Sequence, residues 1–243
     1  MKAMIFAAGL GTRLKDFTQD RPKALVEVGG YPLLDAQIRK MYAFGIREIV
    51  VNVHHFAEKV VDFLENYPNK NIRFYISDES DLLLDTGGGL KNAAEFFSGK
   101  DKVLLHNVDV LSDLDFQKLE SDFFGDFMMI VKERESARKL LFDEEMRLCG
   151  WRNKDTGHEI MVVGAQKEAF EFSYSGIAVA SGDFIGHLPG EDAFPLVPSL
   201  LKAAETYDIT GKLIPHQWID VGKLHELQIA EDHLNTYFKR WLI

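Results

Sequence analysis

An α/β fold is predicted by two features of this sequence: a doubly wound, mostly parallel, Rossmann-like sheet with a small β-rich insertion. Through residue 131, short apolar runs alternate with stretches of helical periodicity, the rhythm of strand–helix–strand crossovers. Beyond it the runs are split by a turn cluster, Asn153-Lys154-Asp155-Thr156-Gly157, as in a hairpin.

Residues 3–8, 48–53, 72–76, 102–106 and 127–131 are β-branched or aromatic-rich and bounded by polar residues or glycine, which marks them as strands. Between them, 33–44, 57–65 and 89–97 place apolar residues three and four apart, as one-sided helices do. Residues 146–152 and 159–163 flank the turn cluster, 175–180 reads as a further strand, and 194–205 and 224–238 read as helices. No repeat, low-complexity tract or Pro/Ser-rich linker interrupts the chain. One domain over residues 1–243 is therefore expected, with a first part of roughly 1–131 and a second of roughly 132–243.

The chain has 243 residues, 46% hydrophobic and 27% charged, the balance of a soluble globular protein with a sizeable core. Its net charge of −10, from 28 basic and 38 acidic residues, argues against nucleic acid as the general partner. An anionic nucleotide can still bind where local cations or a metal ion reverse the field. Cys149 is the single cysteine, so no internal disulfide or thiolate zinc cluster can form. No run approaches the roughly 18 apolar residues of a membrane span. Arg13, Lys15 and Asp16 follow the first apolar run too soon for a signal peptide, and a cytoplasmic location is expected.

The most informative stretch is Phe6-Ala7-Ala8-Gly9-Leu10-Gly11-Thr12-Arg13-Leu14, followed by Arg21-Pro22-Lys23. A strand ends here in a bare loop. Gly9 and Gly11 tolerate positive φ and let main-chain N–H groups of the loop approach a ligand closely. Arg13 and Lys23 add two cations just beyond, and the whole suits phosphates. It is neither of two common phosphate loops. A dinucleotide fingerprint wants a third glycine where Leu14 stands, and a P-loop wants Gly-Lys-Ser/Thr after a four-residue gap.

Two carboxylates invite a metal. Asp109 ends the run Val103-Leu104-Leu105-His106-Asn107-Val108-Asp109, and ligands of open α/β sheets gather beyond the carboxyl ends of strands. Asp220 stands among Trp218-Ile219 and Val221-Gly222, where a carboxylate is paired, caps the helix starting near Lys223, or holds a cation. Asp85-Thr86-Gly87-Gly88-Gly89 opens a helix, and three successive glycines point to a close ligand more economically than to a Thr86 cap. His54, His55 and His106 are best taken as core or loop residues, since adjacent strand residues face opposite sides.

The string Ala7 to Leu14 with Pro22-Lys23 resembles the signature of the sugar-nucleotidyltransferases, which join a nucleoside triphosphate to a sugar 1-phosphate. The similarity continues in Asp85-Thr86-Gly87-Gly88-Gly89-Leu90, His106-Asn107-Val108-Asp109-Val110, Tyr174-Ser175-Gly176-Ile177 and Trp218-Ile219-Asp220-Val221-Gly222. The three-glycine motif and short length look most like the uridylyltransferases of N-acetylmuramate 1-phosphate; the guanylyltransferases of mannose and heptose phosphates are similar too.

The resemblance implies a Mg²⁺-dependent in-line displacement that builds a nucleotide sugar, such as a cell-wall or polysaccharide precursor. The first part would bind the nucleotide and the second the acceptor. Arg13 and Lys23 would be catalytic. Ala7, Ala8, Gly9, Gly11, Thr12, Arg13, Lys23, Asp85, Thr86, Gly87 and Asn107 would bind the nucleotide. Tyr174, Ser175 and Gly176 would bind the acceptor, and Asp109 and Asp220 would hold Mg²⁺. Departures exist: Val108 stands where the family usually has Gly, and Asp85 replaces a commoner Glu. The family's Glu-Lys pair, whose Lys meets the sugar phosphate, is missing, leaving Lys154, Lys167 or Arg152 to substitute. The partners expected are a nucleoside triphosphate and a sugar 1-phosphate, without nucleic acid or membrane, for a monomer or homodimer. A phosphocholine cytidylyltransferase-like enzyme and a non-catalytic nucleotide-sugar sensor are the alternatives; an NAD-dependent oxidoreductase suffers from the missing third glycine.

Overall fold

The computed structural model describes residues 1–162, 169–190, 192–222 and 224–233. By its contacts the chain forms two compact units. Met1–Leu83, Leu105–Leu119 and His216–Ile243 make the first; Leu84–Leu104 and Glu120–Pro215 make the second. This division does not follow a boundary near residue 131, because the chain returns to the first unit twice. Among the described residues no helix is long and apolar enough to cross a membrane.

The first unit is the parallel part of a mixed, mostly parallel sheet with flanking helices, the α/β class expected. Strands Lys2–Phe6, Glu48–Val53 and Arg73–Asp78 run parallel, with Ala3 opposite Ile49 and Glu48 opposite Arg73. Strand Lys102–Asn107, whose last residues belong here, lies beside Lys2–Phe6. Ala3, Met4, Ile5, Ile49, Val50 and Val51 are all buried, as befits strands covered on both faces. Helix Leu33–Ala43 buries Leu33, Leu34, Ile38 and Met41, whereas Ala57–Glu65 buries only Val60 and Leu64, the single stripe its spacing predicts.

One small pairing positions the C-terminal segment. Strand Val110–Ser112 pairs antiparallel with Trp218–Asp220, Val110 opposite Asp220 and Ser112 opposite Trp218. Three-residue strands carry no periodicity, and neither is legible in the sequence.

The second unit centres on strand Phe170–Ser181, twice the length of the expected 175–180. It pairs antiparallel with Phe127–Lys132 and Arg138–Phe142. Strand Ile209–Leu213 runs parallel to Phe127–Lys132. The expected hairpin forms from Leu148–Asn153 and Glu159–Met161, with Gly150 opposite Met161; Val163 and Lys167 lie outside the described residues. Helix Asp85–Asn92 begins four residues earlier than the spacing suggests, and a 3₁₀ turn, Ala93–Phe96, follows it. Helix Leu196–Ala203 is shorter than expected, and helix Leu224–His233 reaches the limit of the described residues, so 234–238 and Lys223 fall outside them.

A helix start in this unit yields a test. Ser181 caps helix Gly182–Gly186 by accepting the Phe184 N–H at 3.1 Å, and the Gly182 N–H donates to the Asp101 carbonyl. A Cβ on Gly182 would come 1.9 Å from the Ser98 carbonyl oxygen, whereas one on Gly186 would meet nothing within 4 Å. Gly182→Ala is expected to destabilise by about 1–3 kcal/mol, and Gly186→Ala to be neutral or slightly stabilising. Urea unfolding of both variants measures the contrast; equal stabilities would mean the Ser98 contact is not as described.

Candidate active site

The glycine loop leaves the first strand at Phe6, earlier than the expected residue 8, because the next two amides turn to a side chain. Ala7 N–H donates to Asn52 Oδ1 at 2.7 Å, and Ala8 N–H reaches it at 3.4 Å. Asn52 Nδ2 in turn donates to Glu79 Oε1 at 2.7 Å, and Asn52 and Glu79 are both buried. The Ala7 N–H is thus spent inside the protein, which leaves its other atoms for any contact with a nucleotide. Beyond Ala8 the loop is different: the N–H groups of Gly9, Leu10 and Gly11 meet no acceptor among the described residues. Gly9, Leu10, Thr12 and Arg13 are exposed.

The two glycines have different reasons. Gly11 has φ +66°, and a Cβ there would lie 2.9 Å from Thr18 Cγ2 and 3.1 Å from Lys23 Cβ, so the fold itself demands glycine. Gly9 does not use positive φ, and its Cβ would meet nothing within 4 Å. Nothing in the fold requires glycine at 9.

Lys23, only 7% exposed, is held in the 3₁₀ turn Lys23–Leu25 and forms an ion pair with Asp109. Asp109 does not end a strand as expected; the strand stops at Asn107, and Asp109 sits in the turn before Val110–Ser112. Asp220 ends the strand paired with Val110–Ser112, and the next amide, Val221 N–H, donates to the Asp109 carbonyl at 2.8 Å. The two carboxylates thus share one short ladder. Burial, then the Asp109 charge, push the Asp220 carboxyl above the usual carboxylate range; Lys23 and Arg13 pull it down, and Glu226 adds to the rise. Asp220 Oδ1 is buried with no hydrogen-bond partner.

That oxygen bears on the readings of Asp220, since among the described residues no N–H reaches it. A helix cap would accept a backbone N–H; here the nearby acidic acceptor is Glu226, whose Oε2 takes the Gly222 N–H at 3.1 Å. A Cβ on Gly222 would approach Asp220 Oδ1 at 2.8 Å and Arg13 Nη2 at 2.9 Å, which places the Arg13 guanidinium at this corner. Among the described residues no group of three or more His, Cys, Asp or Glu side chains is arranged to hold a metal. Two carboxylates with one buried, unsatisfied oxygen do suit a hard cation that takes its remaining ligands from phosphates and water.

Two supporting residues went unread in the sequence. From helix Leu33–Ala43, Gln37 Nε2 donates to the Val110 carbonyl at 2.5 Å, and Lys40 Nζ donates to the Ser112 carbonyl and hydroxyl. Lys40 also lies over the Phe116 ring, 4.1 Å from its centroid. Both side chains are buried and hold the strand between the aspartates. Their signal was polar residues on the apolar face of a helix. His106, fully buried, donates from Nδ1 to the Asn107 carbonyl, and burial with the Lys40 charge pushes its pKa down to about 3. It is a core residue, as expected.

In the second unit, Asp85 has φ +60°, and its Oδ1 accepts the Thr86 N–H at 2.6 Å. Thr86 does not cap its own helix; its hydroxyl accepts the Leu196 N–H at 3.2 Å, at the start of another. Gly87 and Gly88 both donate to the Phe194 carbonyl, and a Cβ on Gly87 would strike the Phe194 ring at 2.5 Å. A Cβ on Gly88 would come 2.3 Å from the Asp192 carbonyl oxygen. Close packing therefore explains these two glycines without a ligand, a correction to the sequence argument. Gly176 has φ +79° where the pairing of Phe170–Ser181 with Phe127–Lys132 shifts register, so a bulge requires it. Burial raises the Tyr174 hydroxyl's pKa, and Ser175 donates to the Ile130 carbonyl at 2.8 Å. Of the cations considered for the acceptor, Arg152 pairs with Glu159 and Glu171, and Lys154 with Glu171; Lys167 is outside the described residues.

Residues 2–124 match the Nucleotidyl transferase family, a stretch that contains Gly9 to Arg13, Lys23 and Asp109. An N-acetylmuramate alpha-1-phosphate uridylyltransferase from Caulobacter vibrioides is 45% identical over 109 residues, 44% of this chain and 45% of that one. A protein of the same name from Neisseria meningitidis serogroup B is 25% identical over 235 residues, 95% of this chain and 97% of that one. A mannose-1-phosphate guanyltransferase from Yarrowia lipolytica is 36% identical over 123 residues, 49% of this chain and 33% of that one. The matched stretch spans less than half the length of the Caulobacter and Yarrowia proteins. Two solved structures share the fold. HddC from Yersinia pseudotuberculosis has a TM-score of 0.76 at 24% identity, over 96% of this chain and 99% of that one. The inositol-1-phosphate CTP transferase from T. maritima has a TM-score of 0.76 at 17% identity, over 98% and 96%.

Two measurements test this description. Asp220→Asn removes a buried charge that caps no N–H among the described residues, so its stability should stay within about 0.5 kcal/mol of the parent or rise. A loss of about 1 kcal/mol or more in urea unfolding would restore the cap. For His106, the folded pKa lies below the unfolded 6.5, so the folded state binds fewer protons between the two values. Its contribution is complete above pH 6.5 and drains away as pH falls toward 3, by roughly 3 kcal/mol between pH 7 and pH 4.5. His106→Leu should lose that much less stability over the interval, and the His106 ring should show no NMR titration there. A ring titrating near pH 6 would contradict its burial.

Proposed function

The chain belongs to the nucleotidyl transferase family, and we propose that it transfers a nucleoside monophosphate from a nucleoside triphosphate to a sugar 1-phosphate. An oxygen of the sugar phosphate attacks the α-phosphorus, the bond to the β-phosphate's bridging oxygen breaks, and pyrophosphate leaves with the electron pair. All reactants are anions, so the protein's work is to neutralise charge, align attacker with leaving group and exclude water. No covalent nucleophile is needed. The observation that carries the reading is the loop at Gly9–Gly11, exposed at Gly9 and Leu10 and with N–H groups that meet no acceptor among the described residues, followed by Arg13 and a buried Lys23. Gly9 supports it further, since a side chain would fit the fold there but would stand in the way of a phosphate.

On this reading the loop N–H groups and Thr12 hold phosphate oxygens. Lys23 gives one N–H to Asp109 and keeps two for the α-phosphate and the departing pyrophosphate. Arg13, turned toward Asp220 and Gly222, offers the rest of its guanidinium to the same charge. Asp109 and Asp220 are the residues that would hold Mg²⁺, which when bound offsets phosphate charge and orients the oxygens. Asp85, Thr86, Gly87 and Asn107 are assigned to base and ribose by similarity alone, with Thr86 acting through the segment it holds at Leu196. Tyr174, Ser175 and Gly176 are assigned to the acceptor on the same ground.

UTP with N-acetylmuramate 1-phosphate is the first pair to try, because two relatives carry that name and one matches nearly end to end. GTP with mannose 1-phosphate is second, and such preferences turn on contacts worth about 1–3 kcal/mol each. Phosphocholine is disfavoured, since a quaternary ammonium wants an aromatic cage and the acceptor segment supplies one ring, Tyr174. A nucleoside triphosphate as substrate also favours the cytoplasm as the site of the reaction.

Pyrophosphate release from a matrix of triphosphates against sugar 1-phosphates tests the reading. Activity should vanish with a chelator and return with Mg²⁺, and Lys23→Ala should lower kcat by about 10²–10³ with circular dichroism unchanged. Release with no pair would promote the non-catalytic sensor. Full turnover in Lys23→Ala would remove Lys23 from the phosphate path.

A further inference from the structure

Four neighbouring strands of the second unit carry a row of residues across one face. Arg152 stands opposite Lys139, and Ser173 stands opposite Lys132, in antiparallel register. Lys139 Nζ closes the row by donating to Ser173 Oγ at 3.2 Å. Directly opposed residues of an antiparallel pair project from the same face, and like charges so opposed repel. Arg152 is neutralised by Glu159 and Glu171. Lys139 is not.

Only 8% exposed, its ammonium is met by two neutral groups, the Ser173 hydroxyl and the Arg134 carbonyl at 2.5 Å, and by no carboxylate among the described residues. An ammonium has three N–H donors, so one is unused among the described residues. Taking such a charge out of water costs several kcal/mol unless a counter-charge arrives with good geometry. Glu159 and Glu171 are engaged by Arg152 and Lys154, and Lys139, opposite Arg152 in register, bonds to neither. Ser173 directly precedes Tyr174-Ser175-Gly176, the segment assigned to the acceptor.

We propose that Lys139 binds an anionic group of the acceptor, a phosphate or a ring-linked carboxylate, in the position that Arg152, Lys154 and Lys167 were considered for. The inference rests on the acceptor reading of Tyr174-Ser175-Gly176. In the sequence, Lys139 is one cation among Arg134, Arg138 and Lys139, and nothing separates it from its neighbours. Burial without a counter-charge does.

Lys139→Met keeps the length of the side chain and removes its charge; Lys139→Arg keeps the charge. With UTP, the KM for N-acetylmuramate 1-phosphate should rise roughly ten- to a hundredfold in Lys139→Met, with the KM for UTP unmoved and partial recovery in Lys139→Arg. N-acetylglucosamine 1-phosphate, which lacks the carboxylate, separates the sources: a rise for both acceptors assigns the phosphate, a rise for the muramate alone the carboxylate. Unchanged KM for both overturns the proposal, whatever happens to stability. If Lys139→Met does not fold, Lys139→Gln supplies the same readout. If the wild-type protein transfers to no sugar 1-phosphate, the acceptor reading fails by itself. Thermal melts in sodium phosphate or lactate at constant ionic strength then decide Lys139: a rise in Tm in the wild type that Lys139→Met loses supports the anion site, and equal rises overturn it.

Discussion

Keeping two carboxylates side by side among buried apolar neighbours is the constraint on which the first unit depends. Val108, Val110, Ile219 and Val221 flank Asp109 and Asp220, and all four are buried. Burial first, and the neighbouring Asp109 charge after it, push the Asp220 carboxyl above its ordinary range. Three devices oppose the repulsion. Lys23 pairs with Asp109, the Arg13 charge acts on Asp220, and a backbone ladder fixes the spacing through Val110 and Asp220. Behind the ladder, Gln37 and Lys40 hold the carbonyls of the shared strand from a helix more than seventy residues away in sequence. A site that stores unfavourable charge needs such rigid support, because any give would let the carboxylates part.

The glycines divide by the same physical standard. Gly11, Gly87, Gly88 and Gly222 are where the fold leaves no room for a Cβ, and Gly11 and Gly176 are where the backbone turns left-handed. Gly9 meets neither condition. A glycine that its own structure does not require is better evidence for a close ligand than a run of three that packing explains. Packing accounts for glycine at residues 87 and 88 and does not account for it at residue 9.

The second unit shows a different use of charge. Arg152 and Lys154 converge on Glu171, whose carboxyl is held below its ordinary range by Lys154 first and Arg152 after it. These pairs are partly exposed and worth little to stability individually. Their interest is that they occupy cations that sequence alone would have offered to a ligand, leaving the more buried Lys139 uncompensated.

Local chemistry decided what the sequence determined by itself. The strands at 48–53 and 127–131, the helices at 33–44 and 57–65 and the hairpin around 153–157 were legible because periodicity and turn residues act over a few positions. The motif residues Gly9, Gly11, Arg13, Lys23, Asp109 and Asp220 were legible as types suited to phosphate and metal. Tertiary structure alone decided their partners. That Ala7 gives its N–H to Asn52, that Lys23 meets Asp109 and that Thr86 serves the helix at Leu196 are contacts between positions 45 to 110 residues apart. Short strands such as Val110–Ser112 and Trp218–Asp220 exist only because each pairs with the other. Periodicity within a segment cannot announce a partner that lies outside it, and so the carboxylate pair became visible only once the chain had folded back on itself.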